Sequence, residues 1–187
     1  MTPTHLPGRV AIPALPEQTR APLSATALPA FNSAPEADLR RRLLDCLHSA
    51  RWTERVAAHR PYPDLDALLA AADEAAYDLT PAELSLALTA ETLPALPPDT
   101  YEAAYMALDA ARAAHEARFG HAFVICLDAI NPNERLDHVL TAIRSRLAND
   151  PEEERAVAAE ELRGLARQRL RQLLEGANPS VRATPGA

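Results

Sequence analysis

The chain has 187 residues, a length that suits one domain with tails and leaves enough interior for a real hydrophobic core. Hydrophobic residues make up 48% and charged residues 24%, and no apolar run approaches the ~20 residues of a membrane-spanning helix, which excludes an integral membrane protein of that kind. Against 26 acids stand 19 arginines and no lysine, so the net charge of −7 argues against an electrostatically driven nucleic-acid binder. Forty alanines favour helix throughout. Residues 1–30 read as a disordered Pro/Ala-rich arm, because seven of the 17 prolines fall before residue 36 and the only acid there is Glu17. The acid-poor arm carries Arg9 and Arg20, as a transit peptide would, but its prolines interrupt any amphipathic helix and it has no apolar signal segment. Residues 176–187 read as a second flexible tail.

Between the tails the punctuation predicts about seven helices. Ser33-Ala34-Pro35-Glu36 reads as a capping box opening a helix over 34–49, with Leu39, Leu43 and Leu47 at helical spacing. A short helix with Trp52, Val56 and His59 ends at Arg60-Pro61-Tyr62-Pro63, since residues before proline avoid the α region. Asp64 caps a third helix, and Thr80-Pro81-Ala82-Glu83 is a capping box for a fourth through Leu88. Pro94, Pro97 and Pro98 force a loop, and Asp99 starts a long helix ending at Gly120. The run from His121 to Leu127 is the chain's one continuous β-prone stretch. It reads as either an extended connector or a buried helical turn, and the cluster of Phe123, Val124 and Ile125 favours the connector. Asn131-Pro132-Asn133 turns into a helix with Val139, Ile143 and Leu147, and Asp150 caps the last helix through Leu173. The fold class is all-α, one bundle over 31–175.

Physical patterning alone marks no catalytic signature: GxGxxG, P-loop, HExxH and GxSxG are all missing. Cys46 and Cys126 have no metal-site spacing and read as reduced core residues of a cytoplasmic protein, one disulfide being the alternative. The histidines are scattered singly, each more economically a surface or core residue than a ligand, with His121 of most interest because it opens the connector. Arg40-Arg41-Arg42 reads as a solvated helix face. Arg146 lies at the edge of an apolar stripe, placed either to clamp a carboxylate bidentately or to pair with one of the acids in 150–154. Glu91 follows the fourth helix with no capping role.

Several segments together resemble a known family, the 2-oxo-4-hydroxy-4-carboxy-5-ureidoimidazoline (OHCU) decarboxylases of urate breakdown. They are Phe31-Asn32, Trp52 with Arg60-Pro61-Tyr62, Arg118-Phe119-Gly120-His121-Ala122-Phe123-Val124-Ile125, Arg146-Leu147-Ala148-Asn149, and Leu165 to Leu170. The resemblance implies an all-α fold and decarboxylation of OHCU to (S)-allantoin without metal or organic cofactor. It also implies a small anionic ligand and a homodimer, while the acidic charge balance and the lack of a long apolar run point to no nucleic-acid or membrane partner. By position it implies substrate contacts from Arg146 and from Phe119, Gly120, His121, Phe123, Val124 and Ile125. Two family motifs are not kept: Leu88-Thr89-Ala90-Glu91-Thr92 stands where the family has LxxAHP, putting Glu91 at the histidine position, and the SxxEQ segment is deleted between Ala95 and Tyr101, with Glu102 either a partial stand-in or simply the first-turn acid of the long helix. Weakened or altered decarboxylation with Glu91 as proton donor is therefore one expectation; the other is a non-catalytic relative that holds a small anion or a protein partner. The resemblance further places Arg146 and the 119–125 backbone on one concavity, with Glu91 at its rim.

Overall fold

Residues 26–92 and 102–176 are described by the structure, a computed structural model in which every regular element is helical. The order is α1 (Ala27–Ser33), α2 (Glu36–Cys46), α3 (Ala50–Ala58), α4 (Leu65–Tyr77), α5 (Pro81–Thr89), α6 (Glu102–Phe119), a 3₁₀ turn (Pro132–Glu134), α7 (Arg135–Arg146) and α8 (Pro151–Gly176). No helix among the described residues is long and apolar enough to cross a membrane. The loop expected at Pro94–Pro98, the cap at Asp99 and residues 1–25 and 177–187 lie outside the described residues.

Three expected caps form as the side-chain chemistry dictates. Asp64 accepts from the Ala67 amide at 2.7 Å. Thr80 and Glu83 exchange reciprocal bonds at the start of α5. Asp150 Oδ1 accepts from the amides of Glu152 and Glu153 at 2.9 Å each. The expected box at Ser33 does not form. Ser33 is the last residue of α1, and its hydroxyl donates back to the Pro29 carbonyl at 2.9 Å, so α2 starts at Glu36 without a side-chain cap. Helix α1 is also the element that raises the count among the described residues from seven to eight. It begins inside the segment read as an arm and buries Ala27 and Phe31, with Pro29 in the first turn where no intrahelical N–H bond is lost.

Two of the motif segments serve this end of the fold. Asn32 Nδ2 donates to the Tyr62 carbonyl and Tyr62 N to Asn32 Oδ1, both at 2.9 Å. The Arg60 guanidinium donates to the carbonyls of Phe31, Asn32 and Ala34 at the open end of α1. These bonds satisfy backbone groups that a helix terminus leaves orphaned.

Helix α8 is the axis of the larger core, where Ala158, Leu162, Leu165, Ala166, Leu170 and Leu174 meet α1 to α5. A smaller core holds Leu108 of α6 with Val139 and Ile143 of α7. Residues 121–127 run between the two as an extended connector with neither helix nor strand, and strand-like alternation divides its side chains. Phe123, Ile125 and Leu127 enter the smaller core, whereas Val124 and Cys126 meet the larger. At the entrance, Gly120 ends α6 with φ +75, a left-handed conformation that costs other residues about 1 kcal/mol or more.

Candidate functional site

A connector without a sheet must satisfy its backbone groups on side chains, and this requirement decides where Arg146 goes. Its Nη1 donates to the Val124 carbonyl at 2.6 Å, and its guanidinium carbon lies 4.5 Å from the centre of the Phe123 ring. Its Nε donates to both oxygens of Glu154, at 3.0 and 3.1 Å, and Nη2 also bonds Glu154. Glu161, two turns further along the same face of α8, accepts the Cys126 amide at 2.7 Å. Arg146 is only 6% exposed, so its planar fork is spent on the protein itself. Of the two readings of this residue, the structure has the pairing with an acid in 150–154.

Glu154 gathers the other buried polar groups. Asn149 Nδ2 donates to it at 3.1 Å and His115 Nε2 at 2.8 Å, and neither Glu154 nor His115 has exposed surface. Burial alone pushes the Glu154 carboxyl up, but the bonds from Arg146 and His115 outweigh it and hold the group below its ordinary value. For His115 burial dominates, ahead of the opposing bond to Glu154, and its pKa falls below 6.5. At neutral pH His115 is therefore an uncharged imidazole donating through Nε2, and its buried Nδ1 has no partner among the described residues. The His115 ring sits among Phe119, Phe123 and His121, with centroids at 4.8, 5.2 and 5.4 Å.

Glu91 lies elsewhere. Both its oxygens are taken by Arg169, at 2.7 and 2.6 Å, and Arg169 Nη1 also donates to the Cys46 carbonyl at 3.1 Å. The bond to Glu91 raises the Arg169 guanidinium above its ordinary value despite burial. Glu154 and Arg169 are about 22 Å apart along α8. The expectation that Glu91 rims a concavity shared with Arg146 is thus corrected: each is drawn to a different end of the central helix by a counter-charge on α8, Arg169 for Glu91 and Glu154 for Arg146. Cys46 and Cys126 are both free thiols.

Next to the connector's first residue lies an open cleft of about 110 Å³, between α5, the α6–connector turn and the start of α8. Leu84, Ser85 and Leu88 form one wall, Phe119, Gly120 and His121 a second, and Pro151 and Arg155 the third. Of the connector residues named from the sequence, these three at the α6 end therefore line the cleft, whereas Phe123, Val124 and Ile125 are at most 2% exposed and sit behind it in the core. Sequence reading missed Ser85 and Arg155, which carry no motif and face solvent in helices of ordinary composition. Among the described residues no group of three or more His, Cys, Asp or Glu side chains is placed to hold a metal.

The helical order seen here recurs in known proteins. A crystal structure of (S)-allantoin synthase matches with TM-score 0.64 and 20% identity over 78% of this chain, which spans 53% of that longer one. A crystal structure of OHCU decarboxylase in the presence of (S)-allantoin matches with TM-score 0.62 and 18% identity, covering 75% of this chain and 99% of that one. At such identities the likeness carries the fold alone. No curated protein sequence matches. The model of the OHCU decarboxylase family matches residues 32–92 and 90–171, a span that holds α2 to α7, the connector and most of α8. On that match, over well more than half its length, the chain belongs to the OHCU decarboxylase family.

Proposed function

We propose that this protein is a cytoplasmic OHCU decarboxylase-like member of urate breakdown whose decarboxylase activity is much reduced. One observation carries the reading: the two buried charged residues at family site positions, Glu91 and Arg146, are each consumed by an internal partner, the half-buried Arg169 and the buried Glu154. Decarboxylation needs a group that holds the carboxylate, donors that stabilise the electron pair left behind, and one proton delivered to one face. A carboxylate locked bidentately on a guanidinium supplies no proton, and a guanidinium locked on a carboxylate binds no second one. A coupled assay tests this. OHCU generated freshly from urate is incubated with the protein, and optically active allantoin is followed by circular dichroism; formation near the spontaneous, racemic background supports the reading, and rapid (S)-allantoin formation sinks it.

The second reading, a non-catalytic family member that binds a small anion, is favoured by a separate observation. The cleft beside His121 keeps polar side chains with no partner among the described residues, Arg155 and Ser85.

A further inference from the structure

We infer that the groove between α4, α5 and the first half of α8 is the docking site of the chain's own N-terminal segment 6–16, laid along α8 as a polyproline II strand with Arg9 paired to Glu152. The inference is independent of the decarboxylase reading. The groove has a volume of about 380 Å³ and is lined by Tyr77, Leu79, Leu84, Ala156 and Ala159, together with Glu160 and Arg163. Its one aromatic, Tyr77, is 67% exposed yet fixed in place. The Tyr77 hydroxyl donates to Glu160 at 3.0 Å, and the Arg163 guanidinium carbon lies 4.7 Å from the ring centre. A fixed aromatic beside small apolar side chains is the surface that proline-rich segments recognise.

Residues 1–25 lie outside the described residues, and their sequence supplies the matching ligand. Pro7, Pro13 and Pro16 fix φ near the polyproline II value and bias the residues before them to extended backbone. At three residues per turn, Leu6, Arg9, Ile12 and Leu15 share one face of such a helix. The point where the segment joins the body sets its direction. Ala27 and Phe31 of α1 share a crevice with Leu173 and Leu174 near the end of α8. Leu174, Arg167, Arg163, Glu160 and Ala156 recur at helical spacing on one face of α8, so the chain reaches the groove by running back along that face. Leu174 and Arg163 are about 17 Å apart along the axis, and the stretch from Leu15 to Ala27 spans up to about 40 Å. With Ile12 and Leu15 in the groove, Arg9 lies one turn, about 9 Å, further toward the start of α8. There Glu152, exposed and two helical turns before Ala159 on the same face, has a carboxylate with no partner among the described residues. Arg155 in the same turn lines the cleft beside His121 instead. Charge favours the match: residues 1–25 carry two arginines and one acid, whereas residues 26–187 carry 17 arginines and 25 acids. The crevice beside Leu174 is about 40 Å³, room for a water rather than a side chain, and does not compete. The tether supplies a local concentration of about millimolar, so even a contact of millimolar Kd is about half filled.

The test replaces Ala14, which lies off the Ile12 and Leu15 face, by the photo-crosslinking residue p-benzoylphenylalanine in the full chain, and maps the products by mass spectrometry. Links within one chain to residues 76–84 or 156–163 are expected. Ile12→Ser combined with Leu15→Ser, and separately Ala159→Trp, which fills the groove, are expected to cut their yield about 10-fold or more. Arg9→Glu or Glu152→Arg alone costs about 2- to 5-fold, and the two together restore the yield. Leu86→Ser, at an exposed position of α5 outside the groove, leaves it unchanged. The substitutions at positions 9, 12 and 15 leave the helical body intact, so they decide the outcome should Ala159→Trp misfold. No cross-link, links to other surfaces, links only between two chains, or failure of the double charge swap to restore the yield overturns the proposal.

Discussion

His115 donates its Nε2–H to Glu154 at 2.8 Å, and neither side chain has any exposed surface. Both groups titrate below their ordinary values, His115 below 6.5 and Glu154 below 4.5. In each case the unfolded chain takes up protons before the folded one does, so stability falls as pH falls. The His115 contribution is lost from about pH 6.5 downward and the Glu154 contribution from about pH 4.5 downward. Thermal unfolding between pH 8 and pH 4 is expected to show Tm falling in both windows, and His115→Gln is expected to abolish the first fall. A Tm that rises on acidification contradicts this assignment.

Glu91 is the bidentate partner of Arg169 by its contacts. Glu91→Ala leaves the half-buried Arg169 guanidinium without its carboxylate, and urea unfolding is expected to show a loss of about 2 kcal/mol. The rate and pH profile of OHCU consumption are expected to stay as in the parent protein. A stable variant whose residual turnover is abolished would restore Glu91 as the proton donor.

Gly164 lets the connector lie against α8. A Cβ there would stand 3.0 Å from Cys126 Cβ and 3.1 Å from its Sγ, inside normal contact. Helix propensity alone favours Gly164→Ala by about 1 kcal/mol, and the overpacking costs about 1–3 kcal/mol, so net destabilisation is expected. Faster reaction of Cys126 with a thiol reagent is expected alongside, because the connector must shift outward. A variant more stable than the parent protein refutes the close approach.

Arg146→Lys keeps the charge but loses the fork. An ammonium can face Glu154, but it cannot also bond the Val124 carbonyl and lie flat on Phe123. A loss of about 2 kcal/mol is expected, with hydrogen exchange accelerated at the connector amides around Cys126 and not in α3 or α4. Uniform protection in the variant counts against Arg146 as the connector's anchor.

Helix periods and caps were legible because they are local: Asp64, Thr80 and Asp150 bond amides within three residues of themselves. Helix α1 was hidden by Pro29 and by the low contrast of an Ala/Pro-rich stretch, since what stabilises it is tertiary, Phe31 in the core and Arg60 on its last carbonyls. The connector was legible from its β-branched and aromatic run, although its alternation between two cores was not, because that depends on where α7 and α8 pass. The site was less readable. Glu154 falls on the α8 stripe with Ala158, Leu162, Leu165 and Leu170, and His115 on the α6 stripe with Leu108 and Phe119, so an ionisable group in each apolar stripe was the available signal for their pairing. Nothing local reported that Glu91 would meet Arg169, a contact 78 residues away in sequence.

The most direct measurement compares kcat/KM for (S)-allantoin formation from fresh OHCU by this protein and by a family enzyme that keeps the histidine and the SxxEQ glutamate, side by side at pH 7. General acid–base groups are each worth about 10²- to 10⁴-fold, so with Glu91 and Arg146 locked in internal pairs a deficit of at least about 10²-fold is expected. Equal rates would contradict it and would mean that a group outside these two ion pairs delivers the proton.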